Sequence, residues 1–170
     1  MHDEIARIRG YRNPGVLVDS NLLLLVFLGG YDRRQIGTNK RLAVFTSEDF
    51  QLLTIFLRQF SRIVTTPNIL TEVSNLSSAI PDTKKAAYFT WFASRLAVLQ
   101  EEYVPSIAAL GNRWARFGLT DAGIAEIAKS RYLVLTDDFR LSQVLPSEGI
   151  DAVNFNHLRE MYWHLSAKGN

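Results

Sequence analysis

The 170-residue chain has the length of one domain, and with 47% hydrophobic and 21% charged residues it is too apolar for a disordered chain. It contains no cysteine, which excludes disulfide frameworks, thiolate metal sites and cysteine nucleophiles. The strongest apolar run, residues 22–28, is far shorter than the about 20 residues of a membrane span, and the first residues lack the apolar segment of a signal peptide. We therefore expect a single domain over residues 1–170, in a soluble cytoplasmic protein with no membrane partner.

Strand-like and helical patterns alternate along the chain, which predicts an α/β fold with a central, mostly parallel sheet flanked by helices. In chain order we predict a strand at 16–18, a helix at 21–28, a loop at 31–41, a helix at 46–60, a strand at 63–65, helices at 67–80, 82–103, 105–117 and 120–130, a strand at 132–136, a short helix at 139–145, a strand at 149–153 and a helix at 156–165.

Local signals set several of these boundaries. The pair Gly29-Gly30 is expected to end the first helix. Thr66 is a typical N-cap and Pro67 a typical first helical residue. Thr120 or Asp121 is the expected N-cap of the helix that precedes the 132–136 strand.

Five acidic residues stand at equivalent places in this pattern. Asp19 follows the first strand, and Asp137 and Asp138 follow the 132–136 strand. Glu72 lies in the second turn of the helix after the second strand, and Asp121 opens a later helix. Because the carboxyl ends of parallel strands share one edge with the helix N-termini, we expect these carboxylates to converge there.

Each acid has a structural alternative when it is considered alone. Asp19 could form a turn or cap a helix, Asp121 and Asp138 could cap helices, and Glu72 could be a solvated surface residue. Together they would repel one another, and a divalent cation would resolve this repulsion. The three histidines lie near the chain ends, so the donors are all oxygen, which favours Mg²⁺ or Mn²⁺ over zinc.

An acidic site that holds Mg²⁺ or Mn²⁺ fits phosphodiester hydrolysis, because the metal activates a bound water and stabilises the leaving oxygen. With these five acids set aside, 12 acids face 19 bases, so the remaining residues carry a net charge of +7, which would attract a polyanion. Trp114 and Phe117, next to two of the bases, fit a helix core better than a stacking surface. The candidate nucleic-acid contacts are Arg33, Arg34, Lys40, Arg41, Arg113 and Arg116.

Four segments in this order resemble the motifs of the PIN-domain family, the ribonuclease fold of VapC-type toxins. They are residues 16–21, 66–73, 119–125 and 135–139, and the resemblance extends from residue 16 to about residue 153. It implies a PIN-like three-layer fold in which the metal and catalytic acids are Asp19, Glu72, Asp121 and Asp138, with Asp137 as a further metal ligand and Ser20, Asn21 and Thr136 in support.

The resemblance implies Mg²⁺- or Mn²⁺-dependent cleavage of single-stranded or structured RNA by a homodimer, with an antitoxin or other inhibitory protein as partner. Two features depart from the family pattern. The usual spacing of the last motif selects Asp138 and leaves Asp137 as the intervening residue, with no later acid. The stretch 82–118 is long for a compact toxin.

The sequence has three other interpretations. A haloacid-dehalogenase-type phosphatase needs a second Asp two residues after the first, where this chain has Asn21. A response-regulator receiver needs an acidic pair near the first strand and a later Lys, and neither is evident. The main alternative is a PIN-like binding or assembly module without nuclease turnover.

Overall fold

A computed structural model describes residues 2–77, 80–110 and 117–168, and the side chains within 5–77, 80–110 and 117–163. Within these residues lies a five-stranded sheet whose strand pairs are all parallel, in the order β3-β2-β1-β4-β5. The strands are β1 (Val16–Val18), β2 (Ile63–Thr65), β3 (Gln100–Glu101), β4 (Leu133–Thr136) and β5 (Ala152–Asn154). The predicted α/β class with a parallel sheet is confirmed.

Helices connect these strands and cover the sheet. They are α1 (His2–Gly10), α2 (Ser20–Tyr31), α3 (Arg34–Thr38), α4 (Ser47–Leu57), α5 (Pro67–Leu76), α6 (Asp82–Leu96), α7 (Ser106–Ala109), α8 (Leu119–Ala128), α9 (Phe139–Ser147) and α10 (Phe155–Lys168), with a 3₁₀ turn at Lys40–Leu42. Every residue of β1, β4 and β5 is buried. Since successive side chains of a strand point to opposite faces, both faces of the sheet are covered, which gives three layers.

The order of the strands defines one special crevice. From β1 the chain moves outward to β2 and β3, and it then returns to place β4 and β5 on the other side of β1. Val18 of β1 pairs with Leu135 of β4, so the carboxyl ends of these two strands lie side by side. In open α/β sheets, ligands bind outside the carboxyl ends of the strands at such a reversal of order.

The apolar segment at the start of the chain is a core helix. In α2 the side chains of Leu22, Leu23, Leu24, Leu25, Phe27 and Leu28 are buried. The predicted end at Gly29-Gly30 is wrong, because α2 continues to Tyr31. A Cβ at Gly29 would stand 2.4 Å from the Phe50 ring, so the glycine permits close packing of that ring and does not end the helix.

Several other boundaries differ from the prediction. The expected loop at 31–41 contains α3 and the first two residues of the 3₁₀ turn. Helix α1 is an additional element that the sequence did not predict. The helix predicted over 82–103 ends at Leu96, and β3 follows it. Strand β3 has two polar residues and therefore no hydrophobic signature. Of the helix predicted at 105–117, α7 covers the first part, and residues 111–116 lie outside the described residues.

None of the helices within the described part of the chain is long and apolar enough to cross a lipid bilayer.

Candidate functional site

Asp19 lies at the junction of the two central strands. Its backbone N–H donates to the Leu135 carbonyl across β1 and β4 at 3.0 Å, and its side chain is 8% exposed. Oδ1 accepts a hydrogen bond from the Ser20 backbone N–H at 2.6 Å, which makes Asp19 the N-cap of α2. Oδ2 accepts a hydrogen bond from the Thr136 hydroxyl at 2.5 Å. Donors from two strand ends therefore fix the Asp19 carboxylate.

The two acids after β4 have different surroundings. The exposed Asp138 is the N-cap of α9, because its Oδ1 accepts a hydrogen bond from the Leu141 N–H at 2.9 Å. The alternative explanation for Asp138, a helix cap, is thus present in the structure. Asp137 is half-buried, and its Oδ2 lies 3.5 Å from Asn21 Nδ2. Its Oδ1 is buried without a hydrogen-bond partner in the described structure.

Glu72 and Asp121 bring two more helices to this edge. Glu72 Oε2 accepts a hydrogen bond from the Ser20 hydroxyl at 2.8 Å, so α5 is tied to the start of α2. Asp121 lies in the first turn of α8, but the N-cap of this helix is Gly118, without a side-chain cap. The prediction that Thr120 or Asp121 caps this helix is therefore wrong, since the helix begins two residues earlier than Asp121.

The charges of these carboxylates act on one another and are poorly compensated. Burial, with smaller contributions from Asp137 and Asp121, raises the pKa of Asp19 to about 7, although the bonds from Thr136 and Ser20 oppose the shift. Burial, followed by the charges of Asp138 and Glu72, raises the pKa of Asp121 to about 6. The pKa of Asp137 is also raised, mainly by burial.

No ion pair between described residues includes any of the five carboxylates. Two arginines reduce the repulsion from a distance. Arg140 lowers the pKa of Asp121, and Arg159 lowers that of Asp137, but each is the smallest of the stated influences. The site therefore keeps an excess of negative charge at the strand-order reversal.

The side chains as they stand do not form a ready metal cage. Across residues whose side chains are described, no group of three or more carboxylates or histidines is placed to hold a metal ion. The donor chemistry nevertheless fits a hard cation: the donors are oxygens, Asp137 Oδ1 has no partner, and a hydrogen-bonded carboxylate retains further lone pairs. No hydrogen bond between described residues involves the Asp121 side chain, so its carboxylate oxygens keep their lone pairs for a cation.

A hydrogen-bond network that the sequence analysis missed supports the loop after β4. Asn156 Nδ2 donates to the Asp137 carbonyl at 3.1 Å, and Arg159 Nη1 donates to Asn156 Oδ1 at 3.1 Å. Arg159 Nε donates to Asp49 Oδ1 at 2.7 Å, and the other oxygen of Asp49 accepts the Thr46 N–H of the α4 capping box. The capping box could be predicted from the sequence. The pairing of Asp49 with Arg159 could not be predicted, because Arg159 lies 110 residues further along the chain and no local pattern connects the two.

The predicted nucleic-acid contacts are not gathered at this site. Arg33 and Arg34 follow the far end of α2, whose 12 residues place them about 18 Å along the helix axis from Asp19. The Arg33 guanidinium lies 3.9 Å from the centre of the Phe50 ring, and Arg34 forms two hydrogen bonds with Asp32. Lys40 and Arg41 are exposed in the 3₁₀ turn, and Arg113 and Arg116 lie outside the described residues.

One basic side chain that acts on the acids was not selected from the sequence. Arg140, in the first turn of α9, is close enough to Asp121 to lower its pKa, and its guanidinium lies 4.6 Å from the centre of the Phe117 ring. The sequence feature that could have identified Arg140 is its position two residues after Asp138.

No protein-family model matches the chain, and no curated protein matches it. The resemblance to PIN domains therefore stays a prediction, based on the four sequence segments.

Proposed function

We propose that this protein is a metal-dependent endoribonuclease with a PIN-like fold. The observation that carries the proposal is that carboxylates from four separate segments around the crevice between β1 and β4 act on one another's pKa and have no ion-pair partner among the described residues. A structural role does not require this arrangement, because neutral side chains could form the same caps and hydrogen bonds. Catalysis by a hard cation does require it.

The residues divide into metal-holding and supporting groups. Asp19, Asp121 and Asp137 would hold Mg²⁺ or Mn²⁺, with Glu72 and Asp138 at the margin of the same site. The bound metal would supply an activated water and stabilise the charge on the leaving oxygen. Thr136 and Ser20 hold the Asp19 carboxylate in one orientation, and Ser20 also fixes Glu72. This fixed geometry lowers the reorganisation that the reaction requires.

A nucleic acid is the substrate class that the charge distribution favours, and the resemblance selects RNA. The residues outside the acidic group carry a net charge of +7, which attracts a polyanion, and the charge of Arg140 acts on Asp121. The homodimer and the antitoxin or other inhibitory partner that the resemblance implies stay predictions.

The test is cleavage of single-stranded RNA by the wild type in Mg²⁺ or Mn²⁺. Asp19→Asn is the inactive variant, and Asp82→Asn, a change at an exposed acid of α6, is the matched control. We expect cleavage by wild type and control, and loss of activity in EDTA. Asp19→Asn should lower the rate at least about 100-fold, since a metal ligand contributes several kcal/mol to transition-state stabilisation.

A wild type that cleaves neither RNA nor DNA under any of these conditions would contradict the nuclease proposal. It would favour a binding or assembly module, as would equal cleavage rates for wild type and Asp19→Asn.

A further inference from the structure

A second feature adjoins the acidic site. An open cleft of about 340 Å³ lies between α5 and α8, and Glu72 belongs both to this cleft and to the acidic group. Its walls are formed by Asn68, Thr71, Glu72, Asn75, Leu119 and Thr120. The four α5 residues follow the pattern i, i+3, i+4, i+7, so they share one face of that helix.

Apart from Glu72, which is bonded to Ser20, the polar side chains of this cleft form no hydrogen bond within the described structure. They belong to Asn68, Thr71, Asn75 and Thr120. Asn68 and Thr120 are half-buried, and Thr71 and Asn75 are exposed. The cleft therefore offers amide and hydroxyl groups to a ligand.

The charge of the cleft restricts the class of ligand. Its lining includes the carboxylate Glu72 and no Lys or Arg among the described residues. The described lining offers no cation to a phosphate, whereas the edge of a nucleobase is uncharged and presents both donors and acceptors. Asn side chains can form paired hydrogen bonds with such edges, and single-stranded RNA exposes them.

We propose that the α5–α8 cleft binds one nucleobase of the RNA strand next to the cleaved phosphate, and that it gives the enzyme a base preference. This inference rests on the proposed nuclease function. Glu72 connects the two sites, because its Oε2 is bonded to Ser20, which adjoins Asp19. A base in the cleft thus places its own backbone close to the carboxylates.

The test compares binding of short single-stranded A, C, G and U oligomers in EDTA, followed by fluorescence anisotropy. The variants are the double change Asn68→Ala with Asn75→Ala, the single change Asn75→Ala at an exposed position, and Gln51→Ala, which removes an exposed amide on α4 as the matched control. We expect the wild type and Gln51→Ala to bind one base roughly tenfold more tightly than another, as one good base contact allows. The double variant should lose this ratio, and Asn75→Ala alone should reduce it.

Equal base ratios in wild type and double variant would overturn the inference. A wild type that binds all four bases equally would also overturn it. DNA oligomers of the same base provide a further comparison. If the double variant changes only the ratio between RNA and DNA binding, the cleft binds ribose and the inference is also overturned. Cleavage by the wild type without base preference would refute this inference alone. Base-dependent binding through the cleft without any cleavage would refute the proposed function alone.

Discussion

The buried carboxylate of Asp19 should make the metal-free protein less stable as the pH rises. In the folded protein its pKa is about 7, against an ordinary value of 3.8. Between these two values the folded state binds a proton that the unfolded state has lost. The free energy of unfolding therefore decreases through this interval, and the full cost is present above about pH 7.

The magnitude follows from the shift. A pKa change of one corresponds to 1.36 kcal/mol, so a rise of about 3 lowers the free energy of unfolding by at most about 4 kcal/mol. Asp19→Asn removes this titration and keeps the N-cap, since Asn is as good a cap as Asp. Its amide also retains a partner for the Thr136 hydroxyl. We expect the variant to exceed the wild type in stability by about 2–4 kcal/mol at about pH 8, and to match it near pH 4.

The measurement is urea unfolding of both proteins in EDTA, followed by circular dichroism from about pH 4 to about pH 8. Asp82→Asn is the control, because Asp82 is exposed and paired with Lys85. Mg²⁺ added at one hundred times its Kd should stabilise the wild type at high pH by about 2.7 kcal/mol and the Asn variant by less. A variant no more stable than the wild type at about pH 8 would refute the reasoning.

Two further substitutions test separate parts of the site. Asp121→Asn should abolish cleavage, and above about pH 6 in EDTA it should raise the melting temperature. The gain corresponds to roughly 1 kcal/mol of stability after allowance for partial exposure, because the variant removes a charge that is partly buried and is repelled by Asp138 and Glu72. A marked loss of stability would instead show a structural role for this carboxylate. Asn156→Ala should weaken Mg²⁺ binding about 10- to 100-fold, measured by the metal-induced shift in melting temperature, while metal-free stability falls by about 1 kcal/mol. Unchanged Mg²⁺ affinity in Asn156→Ala would show that this side chain does not position Asp137.

The sequence predicted those parts of the fold that carry a strong local signal. Strands β1, β2 and β4 are apolar runs, and the caps at Thr46 and Thr66 have distinctive residues at fixed spacing. Strand β3 could not be predicted, because two polar residues become a strand only through pairing with β2. The role of Gly29 was misjudged because the Phe50 ring that packs on it belongs to a helix about 20 residues further along the chain.

The candidate site was predictable to a similar extent. Parallel strands bring acids at their carboxyl ends together, so the positions of Asp19 and Asp137 followed from topology. The orientation of each side chain did not, since it depends on hydrogen bonds such as those from Thr136 and Leu141. The network through Arg159 joins three distant segments and has no sequence pattern of its own.

A comparison within the chain strengthens the functional interpretation of the acidic group. Asp49 is as deeply buried as any carboxylate described here, at 1% exposed, and it is paired with Arg159 at 2.7 Å. This fold therefore supplies a cation where a buried aspartate has a structural role.

Asp19, which is 8% exposed, has no such partner among the described ion pairs, and its neighbours add negative charge. A buried charge left uncompensated reduces stability, and selection for folding alone would favour Asn at this position. A ligand that brings its own positive charge would compensate Asp19, and this contrast with Asp49 supports the metal site that we propose in the crevice between β1 and β4.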